Sequence, residues 1–316
     1  MSEFHAVPHV IDSHVHLYPE EINRAPAAWA ESNGEQPWAR MCARRRKDGR
    51  PVQGFPSVDQ LLRTMDRAGV ERAVLLGWYW LRAENCTLQN RFFSDLVRRH
   101  PDRLSAFATV QPAEGVDQAV AELCRAREEG LCGIGELSPH AQAYAMDGAE
   151  FAAVLSCAAQ FNWPVNLHVT DARGPIYPGR IETPREEFIL LARAWPNVTF
   201  VLAHWGGGEP LSDANTAEFE RVFYDTAASP LLYDAKVWRR FINKVGADRV
   251  WFGSDFPLNN YPASEAEPEM ARLLAEVQAA GLSVAEKEAI FCVNAARGIG
   301  VNVQDGRGEL SSPKAQ

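Results

Sequence analysis

The chain lacks several features that would assign it quickly. Its six cysteines stand singly among 316 residues, with no CxxC pair, which argues against a zinc knuckle, a dithiol redox motif or a disulfide framework and leaves buried reduced thiols as the reading. Apolar runs of the membrane-spanning length, about 18 residues or more, do not occur. The first ten residues show no basic segment followed by an apolar stretch, so the expectation is a cytoplasmic protein without a membrane partner. Positive charge is also short: 32 Lys and Arg against 41 Asp and Glu give a net charge of −9, a poor surface for nucleic acid or anionic lipid. A GxGxxG run after the first strand pattern is missing too, which weighs against a dinucleotide fold.

What is present is an alternation of short β-branched runs with longer amphipathic stretches. Strands are expected at 10–17, 70–77, 103–110, 131–137, 164–169, 198–203, 221–224 and 249–253. Helical patterns fall between them at 57–68, 85–100, 114–129, 148–162, 183–195, 234–246 and 264–280, with a weak one near 213–220. Eight βα units predict an α/β protein with a closed (β/α)₈ TIM barrel; an open doubly wound sheet is the alternative. Two segments fall outside the repeat. The long insertion 18–56 after strand one, with Trp29, Trp38 and the run Arg44-Arg45-Arg46-Lys47, is expected as a flap over the catalytic face. The stretch 283–300 reads as a terminal helix bracing the barrel. Residues 1–303 thus form one domain, and 304–316 a flexible tail.

Four of the eight histidines fall at the carboxyl ends of expected strands, where a barrel does its chemistry. In Ile11-Asp12-Ser13-His14-Val15-His16 the period of two sends both imidazoles to one face, able to chelate a cation. His168 ends strand five and His204 ends strand six, while Asp255 follows strand eight within Gly253-Ser254-Asp255-Phe256-Pro257. Alone, His168 or His204 would read as a hydrogen-bonded core histidine. Together with a carboxylate, these residues suit a divalent ion, zinc above all and manganese as a second choice, with a position left open for water or substrate. Glu136 in Gly133-Ile134-Gly135-Glu136-Leu137 would be costly to bury unpaired, so it bridges a second ion, orients a ligand histidine or takes a salt bridge. His5, His9 and His100 read as bystanders. On the rim loops Trp78, Tyr79, His140, Arg173 and Tyr177 are candidate contacts for a small carboxylated or cyclic substrate.

The ordered set His14, His16, His168, His204 and Asp255 resembles the amidohydrolase superfamily, in particular the branch of aminocarboxymuconate-semialdehyde decarboxylase. The closing stretch Ile290-Phe-Cys-Val-Asn294-Ala295-Ala296-Arg297 resembles that branch's terminal helix. The resemblance implies that His14, His16 and His168 are metal ligands and that Asp255 binds metal and accepts a proton. His204 would serve either as an acid/base beside one ion or as a ligand of a second, with Glu136 joining it in the two-metal case. Two activities are open. One is hydrolysis of a C–O or C–N bond by water whose pKa the metal lowers from about 15.7 to about 7; the presence of Glu136 tilts the expectation toward it. The other is non-oxidative decarboxylation of a small aromatic or unsaturated acid. A catalytically silent metal-binding scaffold is the alternative of another class. Trp195 and Trp238 look exposed in sequence and suggest a homodimer.

Overall fold

The structure is a computed structural model that describes residues 9–174, 176, 180–211 and 219–302. Tyr177, most of the stretch near 213–220 and the tail 304–316 lie outside the described residues. Among the described residues eight short strands run in order: β1 (Ile11–Val15), β2 (Arg72–Leu75), β3 (Leu104–Ala106), β4 (Ile134–Leu137), β5 (Pro164–Leu167), β6 (Thr199–Leu202), β7 (Val222–Asp225) and β8 (Val250–Trp251). All pair in parallel, each with its sequence neighbour, as a ladder of three (β1 to β3) and a ladder of five (β4 to β8). Both seams are spanned by isolated contacts. Ala108 bridges to Ile134, and the chain beyond β8 joins β1 through Ser13 N to Phe252 O at 2.8 Å and His16 N to Phe256 O at 2.7 Å. The fold is the (β/α)₈ barrel, with neighbouring strands following one another in chain order.

Helices at Val58–Ala68, Ala83–Arg99, Val116–Glu128, Ala149–Phe161, Arg185–Ala194 and Lys236–Val245 lie where periodicity places them. The first begins at a capping box between Ser57 and Gln60, which satisfies two otherwise orphaned donors. The helix expected over 264–280 is shorter, Ala271–Ala279, because Pro268 disfavours helical geometry just upstream. The terminal stretch 283–300 is a helix broken in register: Val284–Glu288, a wider turn at Ala289–Val293, then Asn294–Ile299. It seals the barrel end opposite the histidines. Cys292, Ala295, Ala296 and Ile299 pack with Ile11, Val74, Phe107, Val201 and Trp251, and Asn294 Nδ2 donates to the carbonyls of Ala247 and Val250, each at 2.8 Å.

The insertion 18–56 is ordered rather than a bare loop. Helices Glu20–Asn23, Pro26–Ser32 and Gln36–Cys42 bury Tyr18, Ile22, Trp38 and Cys42 against Trp78 and Trp80 in an apolar cluster of its own. Within its basic run, Arg46 donates to the carbonyls of Pro262 and Glu265 in the loop beyond Asp255. Trp238, expected at the surface, is fully buried and donates Nε1–H to Glu276 at 2.9 Å, and Trp195 packs against the main core, so the exposure invoked for a dimer is not observed. All six cysteines are free thiols. No helix among the described residues is long and apolar enough to cross a membrane.

Candidate metal centre

The parallel register delivers the expected residues to one end of the barrel. His14 and His16 leave β1 on one face, their Nε2 atoms 3.1 Å apart. Each ring is held from behind by an acceptor: Asp225 Oδ2 takes His14 Nδ1–H at 2.9 Å, and the Leu76 carbonyl takes His16 Nδ1–H at 3.1 Å. Neither acceptor can donate, so the proton sits on Nδ1 of both rings and, in their neutral forms, two Nε2 lone pairs face each other across a buried gap. Such a pair is repulsive unless a cation or a shared proton lies between them. Two nitrogens that close suit one ion at about 2.1 Å from each.

Two carboxylates flank this pair. Glu136 Oε2 lies 3.6 Å from His16 Nε2 and 3.9 Å from His14 Nε2, while Asp255 Oδ1 lies 3.6 and 3.8 Å from the same atoms. The other oxygen of Glu136 faces His168 Nδ1 at 2.8 Å and His204 Nε2 at 3.6 Å. Glu136 therefore belongs to two groups of metal-binding character, one with His14 and His16 and one with His168 and His204. His168 turns its Nδ1 to Glu136 and its Nε2 to Thr170 Oγ1 at 3.2 Å, away from the β1 histidines. The single shell of His14, His16, His168 and Asp255 is thus not assembled around one point; Glu136 stands between its halves.

The cluster's charges are strongly coupled. Burial pulls the His14 imidazole down, but Asp225, Glu136 and Asp255 outweigh it and hold it up to about 10. Burial and the neighbouring His14 hold His16 below its ordinary value. Burial would raise Glu136, yet the imidazoles, His168 first, keep it well below the carboxylate range. Asp12, behind β1 and accepting from Ser254 N at 2.9 Å, is pushed up to about 6 by burial.

Backbone strain marks the same spot. His204 (φ 56°), Trp205 (φ 58°) and Asp255 (φ 64°) are non-glycine residues in the left-handed region, which costs on the order of 1–3 kcal/mol each. The turn after β6 continues left-handed through Gly206, where a Cβ would sit 2.8 Å from the Tyr224 ring. Gly253 lets β8 pass β1, since a Cβ there would lie 2.7 Å from that of His14. His204 is fixed by Nδ1–H to the Ala227 carbonyl at 3.1 Å.

The rim candidates divide. Trp78 meets His16 edge-on at 5.8 Å, and Tyr79 stacks on Trp78 at 4.1 Å and tilts against His168 at 5.3 Å. His140 is engaged by Glu187 at 3.1 Å. Arg173, whose side chain is 66% exposed, pairs with Glu209 at 2.8 Å, so it braces two rim loops and is no free clamp for a carboxylate. Sequence reasoning missed Asp225, Asn166 and Thr170. Asp225 carries the same signal as Glu136, an acidic residue ending a buried strand, but the expected strand stops one residue short of it.

A barrel with imidazoles and carboxylates converging at the carboxyl ends of its strands is the architecture of a metal-assisted enzyme. The amidohydrolase family profile matches residues 11–301, and the chain belongs to that family. The fold is shared with 5-carboxyvanillate decarboxylase from Sphingomonas paucimobilis (16% identity, 94% of this chain and 100% of that one, TM-score 0.73). It is shared also with 5-carboxyvanillate decarboxylase from Novosphingobium aromaticivorans, solved with manganese (17%, 93% and 96%, 0.72), and with 2,6-dihydroxybenzoate decarboxylase from Rhizobium (18%, 93% and 99%, 0.62). No curated protein matches the chain.

Proposed function

We propose that the protein is a divalent-metal-dependent, non-oxidative decarboxylase of a small aromatic or unsaturated carboxylic acid, with His14, His16, His168, Asp255 and His204 as its working residues. The observation that carries this reading is the aromatic wall beside the cation-binding cluster. Trp78 and Tyr79 reach from His16 to His168, offering ring faces along which a planar acid can lie with its polar edge toward the imidazoles. Three solved proteins that share the fold across nearly their whole length are decarboxylases of such acids by name, which supports the same class. A bound ion would supply a Lewis acid for the substrate's oxygens, and this donor set accepts manganese or zinc. The protein's own part is positional: His14 and His16 hold their Nε2 atoms toward one point, and Asp255 and His204, 3.9 Å apart, are the groups that would exchange a proton. The bond from ring or vinyl carbon to carboxylate breaks, CO₂ leaves, and the electron pair left on carbon takes a proton from Asp255 or His204.

A second reading, hydrolysis of a C–O or C–N bond, is favoured by Glu136, whose two oxygens face the two histidine pairs as a bridging carboxylate would. Metal content per chain by plasma mass spectrometry, for the wild type and Glu136→Gln, separates the readings when paired with a CO₂-release assay on hydroxybenzoates and unsaturated acids. One ion per chain, kept in the variant, together with CO₂ release supports the decarboxylase. Two ions falling to one, with turnover of esters, lactones or amides, replaces it with the hydrolase. Failure to retain a divalent ion after soaking with manganese or zinc would sink both and leave a scaffold.

A further inference from the structure

Resting on the reading of this cluster as a metal centre, the structure points to one more residue that the centre needs. Asp225 ends β7 and is fully buried. Its Oδ2 accepts from His14 Nδ1 and from Asn166 Nδ2, both at 2.9 Å. Its Oδ1 accepts from the backbone N–H of His204 at 3.1 Å and of Ala227 at 3.0 Å. One carboxylate thereby ties an imidazole of β1, an amide of β5, the turn after β6 and its own loop. We propose that Asp225 is the positioning residue of the centre: it locks His14 in the tautomer whose Nε2 faces the ion, and it pins the left-handed turn that presents His204.

Acceptor-only chemistry is what the position demands. Four donors converge on two oxygens, and among neutral or charged side chains of this size a carboxylate alone accepts all four. The proton it holds on His14 Nδ1 leaves the Nε2 lone pair for a metal, the arrangement by which a carboxylate behind a ligand histidine raises its basicity and fixes its ring. His16 gets the same service from a backbone carbonyl, which substitution cannot remove. His14 depends on a side chain. Asn166 sets the orientation: its Nδ2 shares the oxygen that His14 uses, while its Oδ1 has no hydrogen-bond partner among the described residues, so its contribution there is the donated bond.

Asp225→Asn tests this without changing shape. The amide places an N–H₂ where one oxygen was, and whichever way it turns, that group faces two donors. Turned to His14, it leaves the ring to carry its proton on Nε2, and the ligand is lost; turned to the backbone, it releases the His204 turn. Manganese affinity, measured by calorimetry on the full chain, should fall roughly 10- to 100-fold. The visible absorption of the cobalt-substituted protein should shift as well, a readout that a mere loss of stability would not move. Glu35→Gln, at a buried carboxylate that accepts from Leu81 N, Arg82 N and Asn85, should leave both unchanged. Where Asp225→Asn does not fold, Asn166→Ala removes one donor and should weaken manganese several-fold. Wild-type affinity and an unaltered cobalt spectrum in Asp225→Asn, or in Asn166→Ala where that variant is used, would overturn the inference and leave the centre standing. A wild type that binds neither manganese nor cobalt overturns the centre itself and this inference with it.

Discussion

His14 sits with Asp225 behind its ring and Glu136 and Asp255 before it, and that surplus of carboxylate holds the imidazole protonated up to about 10. A divalent ion needs the neutral ring, so binding must displace this proton. Affinity should therefore rise about tenfold per pH unit from neutrality to about pH 10, with close to one proton released per ion near pH 7.5; calorimetry in buffers of different ionisation heat reads that number directly, and affinity independent of pH would refute it. The metal-free protein carries the linked effect. A histidine raised from 6.5 stabilises the fold fully below that value and loses the contribution as pH climbs through about 10. Melting temperature without metal should decline over that window, and bound manganese should flatten the decline. At this scale the sequence is a good guide to which imidazoles and carboxylates converge at the strand ends and a poor one to what stands behind them. His14 and His16 announce themselves by spacing; Asp225 and Asn166 lie 59 positions apart, and only the pairing of β5, β6 and β7 in one ladder brings them together.

Elements obey periodicity where packing agrees with it and depart where two surfaces compete. The stretch 283–300 has a helical pattern, yet it must give a carbonyl, that of Ile290, to Phe252 N at 3.0 Å and fit against Trp251. The widened turn at Ala289–Val293 lies at that junction. Gly298 follows within the last helical turns, and a Cβ there would stand 2.2 Å from Trp251 Cζ2. Glycine to alanine within a helix ordinarily stabilises by about 0.5–1 kcal/mol. Here overpacking, worth about 1–3 kcal/mol, outweighs that gain, so Gly298→Ala should lower stability by on the order of 1–2 kcal/mol in chemical denaturation; a stabilised variant would show that the Trp251 contact yields freely. The insertion departs for a related reason. From sequence its tryptophans are expected in a flap, and Trp38 of the insertion packs 5.0 Å from Trp80 beyond β2.

Across the whole molecule, the eightfold alternation of patterns made the barrel legible, because each buried parallel strand is a short continuous apolar run between punctuating turns. Closure was not legible, since it rests on isolated pairings at two seams, between β3 and β4 and between β8 and β1. Those seams divide the centre. His14 and His16 stand on the ladder of three strands, whereas Glu136, His168, His204 and Asp225 stand on or just beyond the ladder of five. An ion held between His14, His16 and Glu136 would be gripped only after both parts have docked, so the transition state for folding, if it precedes docking, gains nothing from metal at that group. Manganese should then slow unfolding in stopped-flow dilution into denaturant while leaving the refolding rate unchanged; an accelerated refolding phase would mean that one ladder holds the ion alone. In the native protein the bound cation would act as a latch across the seams, resisting the ring's opening and lengthening its lifetime.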